Sequence, residues 1–254
     1  MGALAATGGV RPLLALAALV LPFLSACGPT HEWHQRLTIA VETPWGVRTG
    51  SSVTAVRWEE QRIRFGEAPA LLQRMSGEAV VVDVRPDAPE GKPRYLFALT
   101  DVSGLAPGVM APSGLDVSER VRAMRQVKGA VPVPPERLPR MVTFLDVNDP
   151  LSVKRIELTE ADGVGERPEP RPGNWRAYEP SMTLAEAFGD GVRLGGATIE
   201  LTDEPVTDGP INALLPWLPD YYSRLLDGRT IHTIDATNRV ANSLGSGSFR
   251  AGFN

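Results

Sequence analysis

Apolar and polar residues alternate through RLTIAVET, residues 36–43. Leu37, Ile39 and Val41 fall on one parity and Arg36, Thr38, Ala40 and Glu42 on the other, the period of two of a half-buried strand. Pro44-Trp45-Gly46 is a turn signal, and VRTGSSVTAVRW, residues 47–58, returns in residues that suit a pleated sheet. Gly50 inside this run predicts a β-bulge. A third run, RIRF, sets Ile63 and Phe65 on one face. EAVVVDVR, residues 78–85, is more continuously apolar, as expected of a central strand covered on both faces. PDAPEGKP then reverses the chain into RYLFALT. Five short runs separated by turn signals predict an antiparallel sandwich or partial barrel.

The period then changes. Val117, Val121 and Met124 share one face of a helix that Asp116 and Glu119 open as a capping box. Residues 129–140, GAVPVPPERLPR, hold four prolines and read as a connection between halves, or as a loop hugging one domain. MVTFLDVNDPLSVKRIEL is strand–turn–strand, and the Pro/Gly-rich residues 160–180 form a long loop. TLAEAFG is a short helix with Thr183 and Glu186 as its capping box, and GATIELTDE is a strand. In residues 210–228, Ile211, Leu214, Leu215, Leu218, Tyr222 and Leu225 recur at helical spacing, but Pro216 and Pro219 must split that helix. The tail NSLGSGSFRAGFN reads as loosely ordered. IELT occurs at 156–159 and again at 199–202; its flanks do not align, which makes two similar strands rather than a repeat. The expected fold is a β-rich α+β class: an antiparallel β-sandwich-like or partial-barrel N-terminal half, with a few short helices mainly in the C-terminal half. The corresponding division is a 1–26 signal peptide, a 27–36 tether, a 37–128 antiparallel β region, a 129–140 connection and a 141–254 α+β region.

The longest apolar run, Pro12 to Ala26, carries no charge and follows Arg11. Fifteen helical residues span roughly 22 Å, short of the roughly 30 Å hydrocarbon core, so the run suits an export signal better than a membrane-spanning helix. It ends in Leu24-Ser25-Ala26-Cys27-Gly28, with the chain's one cysteine. This string resembles the lipobox of bacterial lipoproteins. The resemblance implies cleavage between Ala26 and Cys27, a diacylglyceryl thioether on Cys27 and acylation, with palmitate for instance, of the new amino terminus. Two or more acyl chains anchor stably where one gives only marginal binding. The implied address is the cell envelope: the outer membrane facing the periplasm in a Gram-negative cell, otherwise the outer face of the plasma membrane. Lipidation would consume the thiol and leave the nearby His31 and His34 of HEWH as part of a tether rather than a metal cluster. HEWH is not the HExxH zinc motif.

Charge and composition narrow the remaining chemistry. The formal net charge is −4 with Lys and Arg scattered, so no basic stripe marks a nucleic-acid face. One cysteine excludes an intramolecular disulfide and a cysteine-based zinc cluster. There is no GxGxxG, GxxxxGK[ST] or GxSxG, and nothing calls for a cofactor. Asp146, Asn148 and Asp149 could contribute oxygens to a hard cation, and DVNDP resembles the DxNDx linker of cadherin repeats. The other acidic segments of a cadherin site are absent, and an Asx turn closed by Pro150 uses the same residues. His232, with Asp235 three residues on, and the acidic pair Asp203–Glu204 are the remaining candidates for acid–base work. Of the five tryptophans, Trp217 with Tyr221 is the best local candidate for an aromatic surface, core packing being the default.

Two segments, VTFLDVNDPLSV and FGDGVRLGGATIELTDEPVT, resemble a set of uncharacterised bacterial proteins with no attached activity. The resemblance therefore implies no functional residues. The leading expectation is a non-enzymatic, lipid-anchored envelope protein of binding, structural or accessory role, working through contact with another envelope component or as an accessory subunit, with the membrane itself as partner through Cys27. The alternative is an envelope hydrolase or cation-dependent enzyme using acidic residues and His232. A two-lobed solute receptor fits poorly, because it needs alternating strand–helix units.

Overall fold

The computed structural model describes residues 27–61, 70–165 and 181–252. Strand β1 (Cys27–Thr43) and β2 (Gly46–Gln61) form one long hairpin, closed by a two-residue turn at Pro44-Trp45 with Gly46 at φ 121°. At about 3.3 Å per residue the hairpin is roughly 55 Å long. β3 (Leu71–Glu78) pairs with the far half of β2, β10 (Arg193–Thr202) pairs with β1, and the short β6 (Val131–Pro132) and β11 (Arg250–Ala251) close the two edges. A second, five-stranded sheet runs β4 (Val80–Asp83), β5 (Tyr95–Ala98), β7 (Met141–Phe144), β8 (Val153–Ile156) and β9 (Ser181–Met182). Every strand pair is antiparallel except β8–β9.

The architecture is β-rich α+β with sandwiched sheets and no closed barrel. Four short helices accompany the sheets among the described residues: α1 (Leu105–Met110), α2 (Val117–Gln126), α3 (Leu184–Phe188) and α4 (Pro210–Leu214). Both expected capping boxes form, Asp116 with Glu119 and Thr183 with Glu186. The mixed strand–helix region after residue 140 contributes to both sheets.

The period of two decides which side chains go inward. Trp33, Leu37, Ile39 and Val41 of β1 and Val56 and Trp58 of β2 pack against Val80, Val82, Leu96 and Ala98 of the second sheet, with α1, α2 and α3 closing the ends. The opposite parity of the second sheet, Phe97, Val142, Phe144 and Val153, forms a second core beneath residues 211–249. The apolar run at residues 80–84, interrupted only by Asp83, is thus explained: β4 lies in the middle layer, although at the edge of its sheet and not centrally as expected.

Several expectations are corrected. Gly50 makes no bulge; it sits in continuous register opposite Ile39. A Cβ there would lie 1.9 Å from the Val81 carbonyl oxygen, so glycine is required for the two sheets to approach. The bulge is instead in β10, where Gly195 is the extra residue between Leu194 and Gly196 and re-phases the strand so that Leu194, Ala197 and Ile199 all reach the core. Residues 27–36 are not a loose tether but the first part of β1, because Trp33 and Gln35 are buried there. Gln35 donates to the Val102 carbonyl and accepts from the Trp33 indole, so its burial is fully satisfied. The tail is not loose either: Leu244 and Phe249 are fully buried and β11 pairs with β3. β3 and α1 escaped the pattern reading, α1 because it carries Pro107 and Gly108. RIRF and the loop 166–180 with Trp175 lie outside the described residues. Of the two IELT segments, 199–202 lies within β10, whereas 156–159 leaves the sheet after Ile156, the last residue of β8.

Candidate functional site

The C-terminal layer creates the main cleft, of about 690 Å³. Its floor is the end of β3, Ser76–Glu78. One wall is Val206–Asp208 with Asn212; the other is Leu218, Pro219 and Tyr222; Ser246 and Arg250–Gly252 complete the rim.

Glu78 organises this site. It is 2% exposed, and its carboxylate accepts hydrogen bonds from the backbone N–H groups of Gly209 (2.9 Å) and Ile211 (3.0 Å) at the start of α4. The β11–β3 register sets Arg250 directly opposite Glu78, with Nε 4.0 Å from Oε1. The Arg250 guanidinium also donates to Asp208 at 2.8 Å. Thr207 fixes the adjoining wall: its N–H donates to the Val53 carbonyl and its hydroxyl accepts from the Val53 N–H. One buried, capped carboxylate and an exposed Arg250–Asp208 ion pair therefore line a partly apolar cleft. Sequence reasoning missed Glu78 and Arg250; Glu78 standing just ahead of the apolar Ala79–Val82 run was the one available signal.

The residues singled out from the sequence are placed elsewhere. Cys27 opens β1 across from Gln61, and Ala26 and the signal segment lie outside the described residues. His31 and His34, three apart on a strand, face opposite sides. His31 Nε2 is 3.2 Å from Glu60 Oε1 and 3.3 Å from the Ser118 hydroxyl, which itself donates to Glu60 at 3.0 Å. This trio spans β1, β2 and α2, but hydroxyl and carboxylate meet the same ring nitrogen. A nucleophile relay needs them on opposite nitrogens, so the trio is a structural clasp. His34 Nδ1 donates to the Glu204 carbonyl at 2.7 Å, and Glu204 is ion-paired with Arg36. Both of these partners belong to Glu204, and among the described residues nothing joins Asp203 to it as an acid pair.

Asp146, Asn148 and Asp149 form the β7–β8 turn. Asp146 Oδ1 accepts from the Asn148 N–H at 2.9 Å, Asp149 Oδ1 from the Leu151 N–H at 2.9 Å, and the Ser152 hydroxyl bonds both backbone carbonyls. Among the described residues no three His, Cys, Asp or Glu side chains gather as metal ligands. His232 is exposed and donates from Nδ1 to the Asn242 carbonyl at 2.6 Å, while Asp235 pairs with Arg229 at 3.1 Å. Hydrogen bonding to the Thr233 hydroxyl and to Arg229 holds the Asp235 carboxyl below its ordinary pKa. The Arg94 guanidinium is shifted up by its hydrogen bonds to Asp83. Neither His232 nor Asp146 lines the main cleft. Trp217 stacks edge-on with Tyr221 and Phe144 and donates to the Val147 carbonyl, so it packs the second core.

No protein-family model, no curated protein and no solved structure matches the chain. Among the described residues no helix is long and apolar enough to cross a membrane.

Proposed function

We propose that this protein is a lipid-anchored cell-envelope protein that acts by binding another envelope component rather than by catalysis. The observation that carries this reading is the Leu24-Ser25-Ala26-Cys27 string behind an uncharged apolar run. A chain cleaved before Cys27 would keep every described strand, since β1 opens at that residue. The lipid would then emerge at the open end of the long hairpin, with the Pro44-Trp45 turn roughly 55 Å away at the other end. The binding part of the reading rests on the cleft beside Glu78, whose charged groups are bonded to one another and to backbone amides, an arrangement suited to holding a shape. Membrane fractionation of wild type and Cys27→Ala, with a fatty-acid probe, tests the anchor. Wild type should label and sediment with membranes and the variant should do neither; membrane association that survives the substitution would overturn the reading.

A further inference from the structure

We infer that the cleft between β3, α4 and β11 binds a neutral, hydroxyl-rich ligand, a short saccharide. The inference rests on, and deepens, the binding role proposed above. At about 690 Å³ the cleft is within the range of pockets that take small organic ligands. Its lining divides between an apolar wall of Val206, Leu218, Pro219 and the Tyr222 ring, and a polar side of Asp208, Asn212, Ser246 and Arg250.

An anionic ligand would need an uncompensated cation. Arg250 is the one basic residue among the described lining residues, and it already lies between Asp208 and Glu78. A cationic ligand would need a carboxylate whose charge is not already compensated. Both Glu78 oxygens accept backbone amides from beneath, and Asp208 is held by Arg250. A purely apolar ligand would strip water from Asp208, Arg250 and Asn212 without replacing the hydrogen bonds, at about 1–3 kcal/mol per group. A saccharide meets all three conditions. Its hydroxyls can donate to the remaining lone pairs of Asp208 and accept from the remaining N–H groups of Arg250. These are charge-assisted bonds. The Asn212 amide, which has no hydrogen-bond partner among the described residues, both donates and accepts. The C–H face of a sugar ring then lies on Leu218, Pro219 and the exposed Tyr222 ring.

The test is calorimetric titration of the full chain, held in dodecylphosphocholine so that no sugar-based detergent competes, with cellotetraose, maltotetraose and fully N-acetylated chitotetraose. At least one should give saturable binding, weakened tenfold or more by Asn212→Ala and by Asp208→Asn. Neither residue is in a core cluster, so circular dichroism melting should stay unchanged in both variants. Failure of all three sugars to bind at millimolar concentration, or binding indifferent to both substitutions, overturns the inference. So does binding of spermidine or a galacturonate oligomer in place of the neutral sugars. Because fractionation and labelling of Cys27→Ala do not depend on the sugar, loss of the ligand assignment and loss of the anchor are separately visible.

Discussion

The second sheet is covered differently on its two faces. Against one face lies the first sheet, built of long strands whose inward residues follow the period of two. Against the other lies the segment from residue 209 to 249, in which the only regular elements are α4 and single 3₁₀ turns at Leu218–Tyr221, Ala241–Ser243 and Ser246–Ser248. Yet the irregular cover is as thoroughly buried: Ile211, Leu215, Leu218, Leu226, Leu244 and Phe249 are each 2% exposed or less. The first face is held by a ladder of backbone hydrogen bonds within its own sheet. The second is held by scattered backbone bonds, such as Leu226 N–H to the Leu244 carbonyl, and by polar side chains. Asn242 donates to Asp227 and the Ile231 carbonyl while accepting from the Thr233 N–H. Asn238 bonds the Leu151 and Val153 carbonyls and caps the N–H groups of Val240 and Ala241. Glu78 caps the start of α4. The lesson is that a core needs satisfied backbone groups, and isolated polar side chains can satisfy them where no ladder exists.

The largest effect that would test this comparison is Phe249→Ala. The ring packs on Phe97 and Phe144 at centroid distances of 6.0 and 5.8 Å, and its removal should cost about 3–5 kcal/mol in denaturant unfolding. A loss under about 0.5 kcal/mol, the scale of a surface change, would mean the irregular layer is no true core. Glu78→Ala comes next. It removes both acceptors from the α4 amides and leaves Arg250 without its buried partner, for an expected loss of about 3 kcal/mol and faster exchange of the Gly209 and Ile211 amides. Gly50→Ala probes the regular face: its Cβ would meet Val81 backbone, which cannot swing aside, so about 1–3 kcal/mol should be lost. Gly104→Ala, which has nothing within 4 Å of its Cβ, is the control and should unfold like wild type.

The smallest effect concerns the exposed loop of the irregular layer. The folded-state pKa of Asp235 is lowered, so its contribution is complete above the unfolded value of about 3.8 and disappears as pH falls through the folded value. Asp235→Asn should therefore melt slightly below wild type at neutral pH, and the gap should close as the pH is lowered past that window. A gap independent of pH would disconnect the carboxylate from Thr233 and Arg229.

The same division explains how much could be read in advance. The alternation in residues 36–43, the return strand, the apolar β4 run, the Asp116 and Thr183 caps and the Asp146–Asp149 turn are all local signals, carried within a few residues, and each is found where it was expected along the chain. The C-terminal layer failed the same reading because Gly, Ser and Asn dominate NSLGSGSFRAGFN and no period runs through it. Its order comes from partners far along the chain: the Ala79 N–H donates to the Phe249 carbonyl, and the Thr100 N–H to the Ser248 carbonyl. The candidate site was almost wholly hidden. Glu78, Asp208, Asn212 and Arg250 belong to no motif and meet only because β11 returns to β3.

By itself the sequence determined the strand parity, the caps and turns, and the export-like string ending at Cys27, because each is set by neighbours in the chain. Tertiary structure alone decided which glycine is a bulge and which is a point of contact between sheets, that the last residues are core, and that a cleft opens beside Glu78. Those outcomes depend on what packs against a residue, and side-chain chemistry does not specify that until the layers have met.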